Sequence, residues 1–264
     1  MVNPFSSSPA LLAWLLLSCS PTAFSVKIYL CGDSTMAKSP SSWMQGWGEE
    51  LPPLVNTTVV NKAMGGRSAR SFAAERRFKD VAELLRPGDI TVLEFGHNDG
   101  GSLKTDNGRS ACPGSGPEIC HSTLNGKPVT VKTFPAYLIE AGRLFASKGA
   151  KVVFSSMTPN NIFEGGKTDP EYHPSRFADF ANKSSIAVGH NSTFVDHGLY
   201  TAMAYIRLGA DTVNGFFPRD HTHTNEEGAK VVAQAFIQAV WCSDDPILMP
   251  YIIPQDPDGP CFYP

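Results

Sequence analysis

Five short apolar runs, each separated from the next by longer polar and helix-like stretches, constrain this chain more than any other feature. They cover residues 26–31, 58–62, 90–95, 151–155 and 193–196. Several are continuously apolar rather than alternating, as expected of strands buried on both faces of a parallel sheet. Between them, residues 68–85 read as a helix stopped by Pro87-Gly88. Residues 134–147 follow, with Pro135 near the start, Tyr137, Leu138, Ala141, Leu144 and Phe145 on one stripe, and Gly149 just past the end. Residues 174–188 and 199–208 also read as helices. Residues 225–241 close the series, with Val231, Val232, Ala235, Phe236, Ala239 and Val240 on the buried stripe and Thr224 and Glu227 at capping-box spacing. This alternation predicts an α/β fold, an open doubly wound sheet with helices on both faces, in which ligands bind at the carboxyl ends of the strands. Residues 96–131 carry no recognisable element and read as one long functional loop.

The length of 264 residues suffices for a substantial core. With no visible linker or repeat, residues 26–264 read as a single domain. A net charge of −3, with no run of like charge, gives no electrostatic case for a nucleic-acid partner. Residues 1–25 contain no Lys, Arg, Asp or Glu, and the apolar run 11–17 is too short to span a bilayer. Ala23 and Ser25 stand at −3 and −1 of a cut before Val26. Residues 1–25 are therefore expected to be a signal peptide, the alternative being an exposed N-terminus, and the mature chain to be extracellular. No later segment is long and apolar enough to be a membrane anchor. Of six cysteines, Cys19 would leave with the signal. Pairing neighbours among the rest joins Cys112 to Cys120 and Cys242 to Cys261, leaving Cys31 as a free thiol at the end of the first strand. Sequons at Asn56, Asn182 and Asn191 point to a glycosylated secreted chain.

The chemistry lies at the strand ends. Gly32-Asp33-Ser34-Thr35 follows the first run, and Asp220-His221-Thr222-His223 precedes the last helix. Together they supply a nucleophile (Ser34), a base (His223) and a group to orient the base (Asp220). The Gly-x-Ser-x-Gly elbow is absent. The backbone N–H groups of Ser34 and Gly66, with the Asn98 side-chain amide, would make three oxyanion donors. Gly66 also reads as a plain turn, and Asn98 as a loop former. His221 reads as a wall or surface residue. A metal site from Asp220, His221 and His223 lacks a further ligand, so none is expected. Trp43 and Trp47 follow the nucleophile closely, and either sugar stacking or core packing suits them. Arg67, Arg70, Lys104 and Arg109 stand near the same blocks as candidate groove cations, a helix-face or solvated role being the ordinary alternative.

In order and spacing, Gly32-Asp33-Ser34, Gly66, Gly96-His97-Asn98-Asp99 and Asp220-x-x-His223 resemble the four blocks of the SGNH (GDSL-type) hydrolase superfamily. Longer stretches, among them Gly46-Trp47-Gly48-Glu49 and Gly66-Arg67-Ser68-Ala69-Arg70-Ser71-Phe72, are similar to the fungal rhamnogalacturonan acetylesterases. The resemblance runs from about Lys27 to the final cysteine pair. It implies a three-layer α/β/α sandwich with a flavodoxin-like sheet, a Ser34–His223–Asp220 triad, and an oxyanion hole completed by Gly66 and Asn98. It also implies removal of O-acetyl groups from the rhamnogalacturonan backbone of pectin. The expectation is a secreted monomer acting without cofactor on an acetylated polysaccharide. Two alternatives stand beside it: an esterase for another acetylated polysaccharide or short-chain lipid ester, and an inactive glycan-binding protein.

Overall fold

The computed structural model describes Met1 and residues 25–243, 245–254 and 259–262, so the signal-peptide reading lies almost wholly outside the described residues. The strands are β1 (Lys27–Gly32), β2 (Thr58–Asn61), β3 (Ile90–Glu94), β4 (Ile119–Leu124), β5 (Lys127–Lys132), β6 (Lys151–Ser155) and β7 (Ser192–Val195). Five of them form a parallel sheet in the order β2-β1-β3-β6-β7, while β4 and β5 pair as a separate antiparallel hairpin. The helices are α1 (Ala69–Ala74), α2 (Arg77–Leu84), α3 (Phe134–Ser147), α4 (Arg176–Val188), α5 (His197–Phe216) and α6 (Glu226–Cys242).

Each central strand feeds two cores, which explains why its sequence is continuously apolar. Ile28, Leu30, Ile90, Val92 and Val153 point into one layer with Tyr205 and Phe216 of α5 and Phe236 and Val240 of α6. Tyr29, Cys31, Leu93, Val152 and Phe154 point into the other, against Phe72, Phe78, Leu138, Phe145 and Phe177. The result is the three-layer α/β/α sandwich. β1 lies between β2 and β3, so the chain steps one way from β1 to β2 and then crosses back past β1 to β3. That switch point gathers the segments after β1, β2 and β3 at one edge.

The structure corrects three readings of local elements. The helix expected over residues 68–85 is two helices, broken at Arg76, whose φ of 63° is left-handed. Six residues of unbroken helix would turn Phe72 and Phe78 some 240° apart, about 100° per residue; the break lets their rings pack 4.8 Å apart in one core. The α6 cap is Asn225, whose side chain accepts from Gly228 N–H at 2.9 Å. Thr224 makes no capping box with Glu227 but donates from Oγ1 to the Gln45 carbonyl. Finally, residues 96–131 hold the β4–β5 hairpin. Its two-residue turn, Asn125 (φ 52°) and Gly126 (φ 76°), is the strongest short-range hairpin signal a sequence offers.

Disulfides join Cys112 to Cys120 beside this hairpin and Cys242 to Cys261 at the tail. Cys31 is free and buried, and burial pushes its thiol well above the ordinary range.

Candidate active site

Ser34 opens a single helical turn at the end of β1. Asp33 Oδ1 accepts from the N–H and Oγ1 of Thr35, both at 3.0 Å, and the Asp33 carbonyl accepts from Ala37 N–H at 3.0 Å. A Cβ at Gly32 would lie 2.8 Å from the Glu94 carbonyl, so only glycine lets β1 run this close to β3 before the turn.

His223 arrives from the other end of the chain. Its Nε2 lies 2.8 Å from Ser34 Oγ, and its Nδ1 lies 2.8 Å from Asp220 Oδ2. The other Asp220 oxygen accepts from the backbone N–H of Thr222 and of His223, each at 2.8 Å. One carboxylate thus fixes both the loop and the ring. With Nδ1–H given to Asp220, Nε2 is the free acceptor for the Ser34 hydroxyl proton. Burial pushes the Asp220 carboxyl up, but the hydrogen bonds from His223 and Thr222 outweigh it and hold the group below its ordinary value. Gln45 N–H donates to the Thr224 carbonyl at 2.8 Å, joining the stretch after Ser34 to the one that carries His223 through their backbones.

Gly65 faces the serine: a Cβ there would sit 3.6 Å from Ser34 Cβ. Gly66 has φ +75°, a conformation that favours glycine. Among the described residues neither Ser34 N–H nor Gly66 N–H is spent on a hydrogen bond. Asn98 Nδ2 donates to the Arg67 carbonyl at 3.3 Å, and Asn98 Oδ1 accepts from Arg109 Nη1 at 3.1 Å. Ser34, Gly66 and Asn98 are therefore brought to one edge, each with N–H capacity to spare.

Trp43 forms part of the wall, edge-on to His223 with ring centroids 6.0 Å apart and with the Arg219 guanidinium 5.0 Å from its own centroid. Trp47 does not face the site. It is fully buried, stacked on Phe236 at 4.7 Å with Nε1 donating to Glu94 Oε1, so for Trp47 the core reading is the correct one. His221 Nδ1 meets Glu164 at 2.8 Å, while the His223 ring is committed to Asp220 and Ser34. Of the residues in the metal alternative, His223 thus has both ring nitrogens engaged by Asp220 and Ser34. Of the four candidate cations, Arg70 is no groove residue: its side chain is 6% exposed and makes a bidentate pair with Asp106. Arg67 is held by Glu75 and by the Gly65 carbonyl. Lys104 is exposed.

Sequence reasoning missed the buried network beneath the site. Glu94, at the end of β3, accepts from Trp47 Nε1 at 2.8 Å and from Ser155 Oγ at 2.6 Å, and meets His197 Nδ1 at 2.7 Å. His197 Nε2 meets the Val232 carbonyl at 2.9 Å, so both ring nitrogens face acceptors and sheet, α5 and α6 are linked. A carboxylate ending an apolar strand was the available signal.

A doubly wound parallel sheet thus carries serine, histidine and aspartate hydrogen-bonded in series at its switch point, the arrangement that nucleophilic ester hydrolysis requires. The chain belongs to the GDSL-like lipase/acylhydrolase family, a family of carboxylic ester hydrolases, whose profile matches residues 28–236. It is 50% identical over 246 residues to the rhamnogalacturonan acetylesterase of Emericella nidulans, spanning 93% of this chain and 97% of that one. It is 26% identical over 236 residues to rhamnogalacturonan acetylesterase RhgT of Bacillus subtilis, spanning 81% of this chain and 89% of the relative. Among solved structures, protein YxiM of Bacillus subtilis shares the fold with a TM-score of 0.66 at 20% identity, over 84% of this chain and 58% of that one.

Proposed function

We propose that this protein is a secreted serine esterase that removes O-acetyl groups from the rhamnogalacturonan backbone of pectin. The observation that carries the reading is the unbroken Asp220–His223–Ser34 relay, each link 2.8 Å, in a chain half identical to a rhamnogalacturonan acetylesterase over nearly its whole length. His223 Nε2 takes the Ser34 proton as Oγ attacks the acetyl carbonyl. Asp220 stabilises the imidazolium, and the Ser34, Gly66 and Asn98 donors hold the oxyanion. As the C–O bond to the sugar breaks, His223 gives the proton to the departing sugar oxygen, which leaves as a hydroxyl. It then activates a water that releases acetate from Ser34.

Rhamnogalacturonan alternates rhamnose with galacturonate, so each repeat offers a carboxylate. Lys104 and the edge of the Arg109 guanidinium turned away from Asn98 are the cations suited to it. Secretion rests on the character of residues 1–25, and among the described residues no helix is long and apolar enough to cross a membrane. Asn56 and Asn182 are exposed and Asn191 is half-buried, so glycan attachment is favoured at the first two. The working unit is taken to be a monomer.

The test is acetate release by the purified protein from acetylated rhamnogalacturonan, acetylated xylan and p-nitrophenyl acetate, beside Ser34→Ala. Wild type is expected to favour the rhamnogalacturonan, and Ser34→Ala to be inactive on all three while keeping the wild-type melting temperature. Activity in Ser34→Ala would overturn the serine mechanism; a preference for xylan would overturn the substrate.

A further inference from the structure

Arg109 belongs to the loop between β3 and the hairpin, and that loop is fastened on both sides of it. Arg70 of α1 reaches Asp106 through Nη1 and Nη2, both at 2.8 Å, and Nη1 also donates to the Ser110 carbonyl at 2.8 Å. The Arg70 guanidinium holds the Asp106 carboxyl below its ordinary value. Asp106 Oδ1 accepts from Gly108 N–H at 2.8 Å, Asn107 Oδ1 accepts from Arg109 N–H at 2.9 Å, and Ser110 Oγ donates to the Gly100 carbonyl at 3.0 Å. The backbone carrying Arg109 is therefore pinned to α1 and to the segment that follows Asn98.

The Arg109 side chain crosses to Asn98, Nη1 to Oδ1 at 3.1 Å. The two ends of an asparagine amide have nearly the same shape, so its orientation is decided by its partners. A guanidinium can only donate and a carbonyl can only accept. Arg109 therefore selects Oδ1 on its side, and the Arg67 carbonyl selects Nδ2 on the other. With one Nδ2–H on Arg67, the second is left for an incoming oxyanion. A cation on Oδ1 also polarises the amide and makes that N–H a stronger donor.

We propose that Arg109 is the positioning residue of the oxyanion hole: it locks and polarises the Asn98 amide so that Nδ2–H meets the developing negative charge. The inference rests on the serine-esterase reading above but concerns a residue outside the triad.

The experiment is a double-mutant cycle on p-nitrophenyl acetate, a substrate with no carboxylate for Arg109 to bind. Asn98→Ala should lower kcat by about 10²–10³-fold, as loss of an oxyanion donor does. Arg109→Met, of similar length but unable to donate, should lower kcat by about 10–100-fold with KM unchanged, as a misplaced catalytic group does. Arg109→Lys, which restores a donor and the charge, should recover part of the loss. Adding Arg109→Met to Asn98→Ala should cost nothing further. Wild-type kcat in Arg109→Met, a loss confined to KM, or a loss that multiplies with that of Asn98→Ala would overturn the proposal. If Ser34→Ala is inactive and Asn98→Ala impaired while Arg109→Met is not, this inference alone fails. Full activity in Ser34→Ala or Asn98→Ala would instead remove the reading beneath it.

Discussion

Asp99 follows Asn98 directly and is buried, with Oδ1 accepting from Ala69 N–H at 2.8 Å and Oδ2 without a partner among the described residues. Burial, opposed by the Ala69 hydrogen bond and reinforced by the charge of Asp33, pushes its carboxyl well above the ordinary value of 3.8. The folded chain therefore keeps a proton that the unfolded chain gives up. The contribution to stability is fully present below pH 3.8 and is lost as pH rises through the folded value. Asp99→Asn keeps the shape and cannot ionise. Its melting temperature should therefore fall less than that of wild type between pH 4 and neutrality, as differential scanning calorimetry across that window would show. Parallel curves would mean that Asp99 is ionised in the fold. Residue type at this scale was legible: Ser34, Asp220 and His223 read from the sequence as one series, and hydrogen bonds join them in the fold. Asp99 was not, because an aspartate in a Gly-His-Asn-Asp-Gly run reads equally as a loop former.

The hairpin is the element that the sequence pattern hid. β4 and β5 are mostly solvent-facing, so their residues carry little of the apolar signal that marked the sheet strands. What specifies them is turn chemistry, Asn125-Gly126, and the Cys112–Cys120 bridge. Gly126→Val places a β-branched residue at φ 76° and should cost roughly 1–2 kcal/mol, the penalty of a left-handed conformation. Limited proteolysis should then cleave within residues 100–131 faster than in wild type. Unchanged cleavage would mean that the disulfide alone holds the segment. The α1–α2 break teaches a related lesson. The helical pattern continues through residues 68–85, and the turn at Arg76 that brings Phe72 and Phe78 together in one core is a tertiary feature.

Across the whole molecule, the tail closes back on the start of the fold. Asn56 N–H donates to the Tyr251 carbonyl at 2.8 Å, Ile253 N–H donates to the Leu54 carbonyl at 3.1 Å, and Tyr200 meets the Phe262 backbone. The Cys242–Cys261 disulfide locks this arrangement over a separation of 19 residues. Replacing both cysteines by serine should destabilise the fold by about 3 kcal/mol, the chain-entropy value for a loop of this size. It should leave kcat at 25 °C unchanged, because these tail hydrogen bonds go to Leu54, Asn56 and Tyr200 and not to the Ser34, His223 or Asp220 side chains; a loss of kcat without a loss of stability would show that the tail shapes the site.

By itself the sequence determined the sheet, its two cores and the residue types waiting at its carboxyl edge. Burial on both faces of a strand is written in local composition, and a glycine or serine after a strand is a local choice. The sequence could group Ser34, His223 and Asp220 by residue type and spacing, but only the tertiary structure decided the contacts themselves. Ser34 and His223 are 189 positions apart, and the pairs Arg109–Asn98, Arg70–Asp106 and Glu94–His197 join segments with no common local pattern. Hydrogen bonds act over about 3 Å, so such partnerships exist only once packing has brought their backbones to within a side chain's reach.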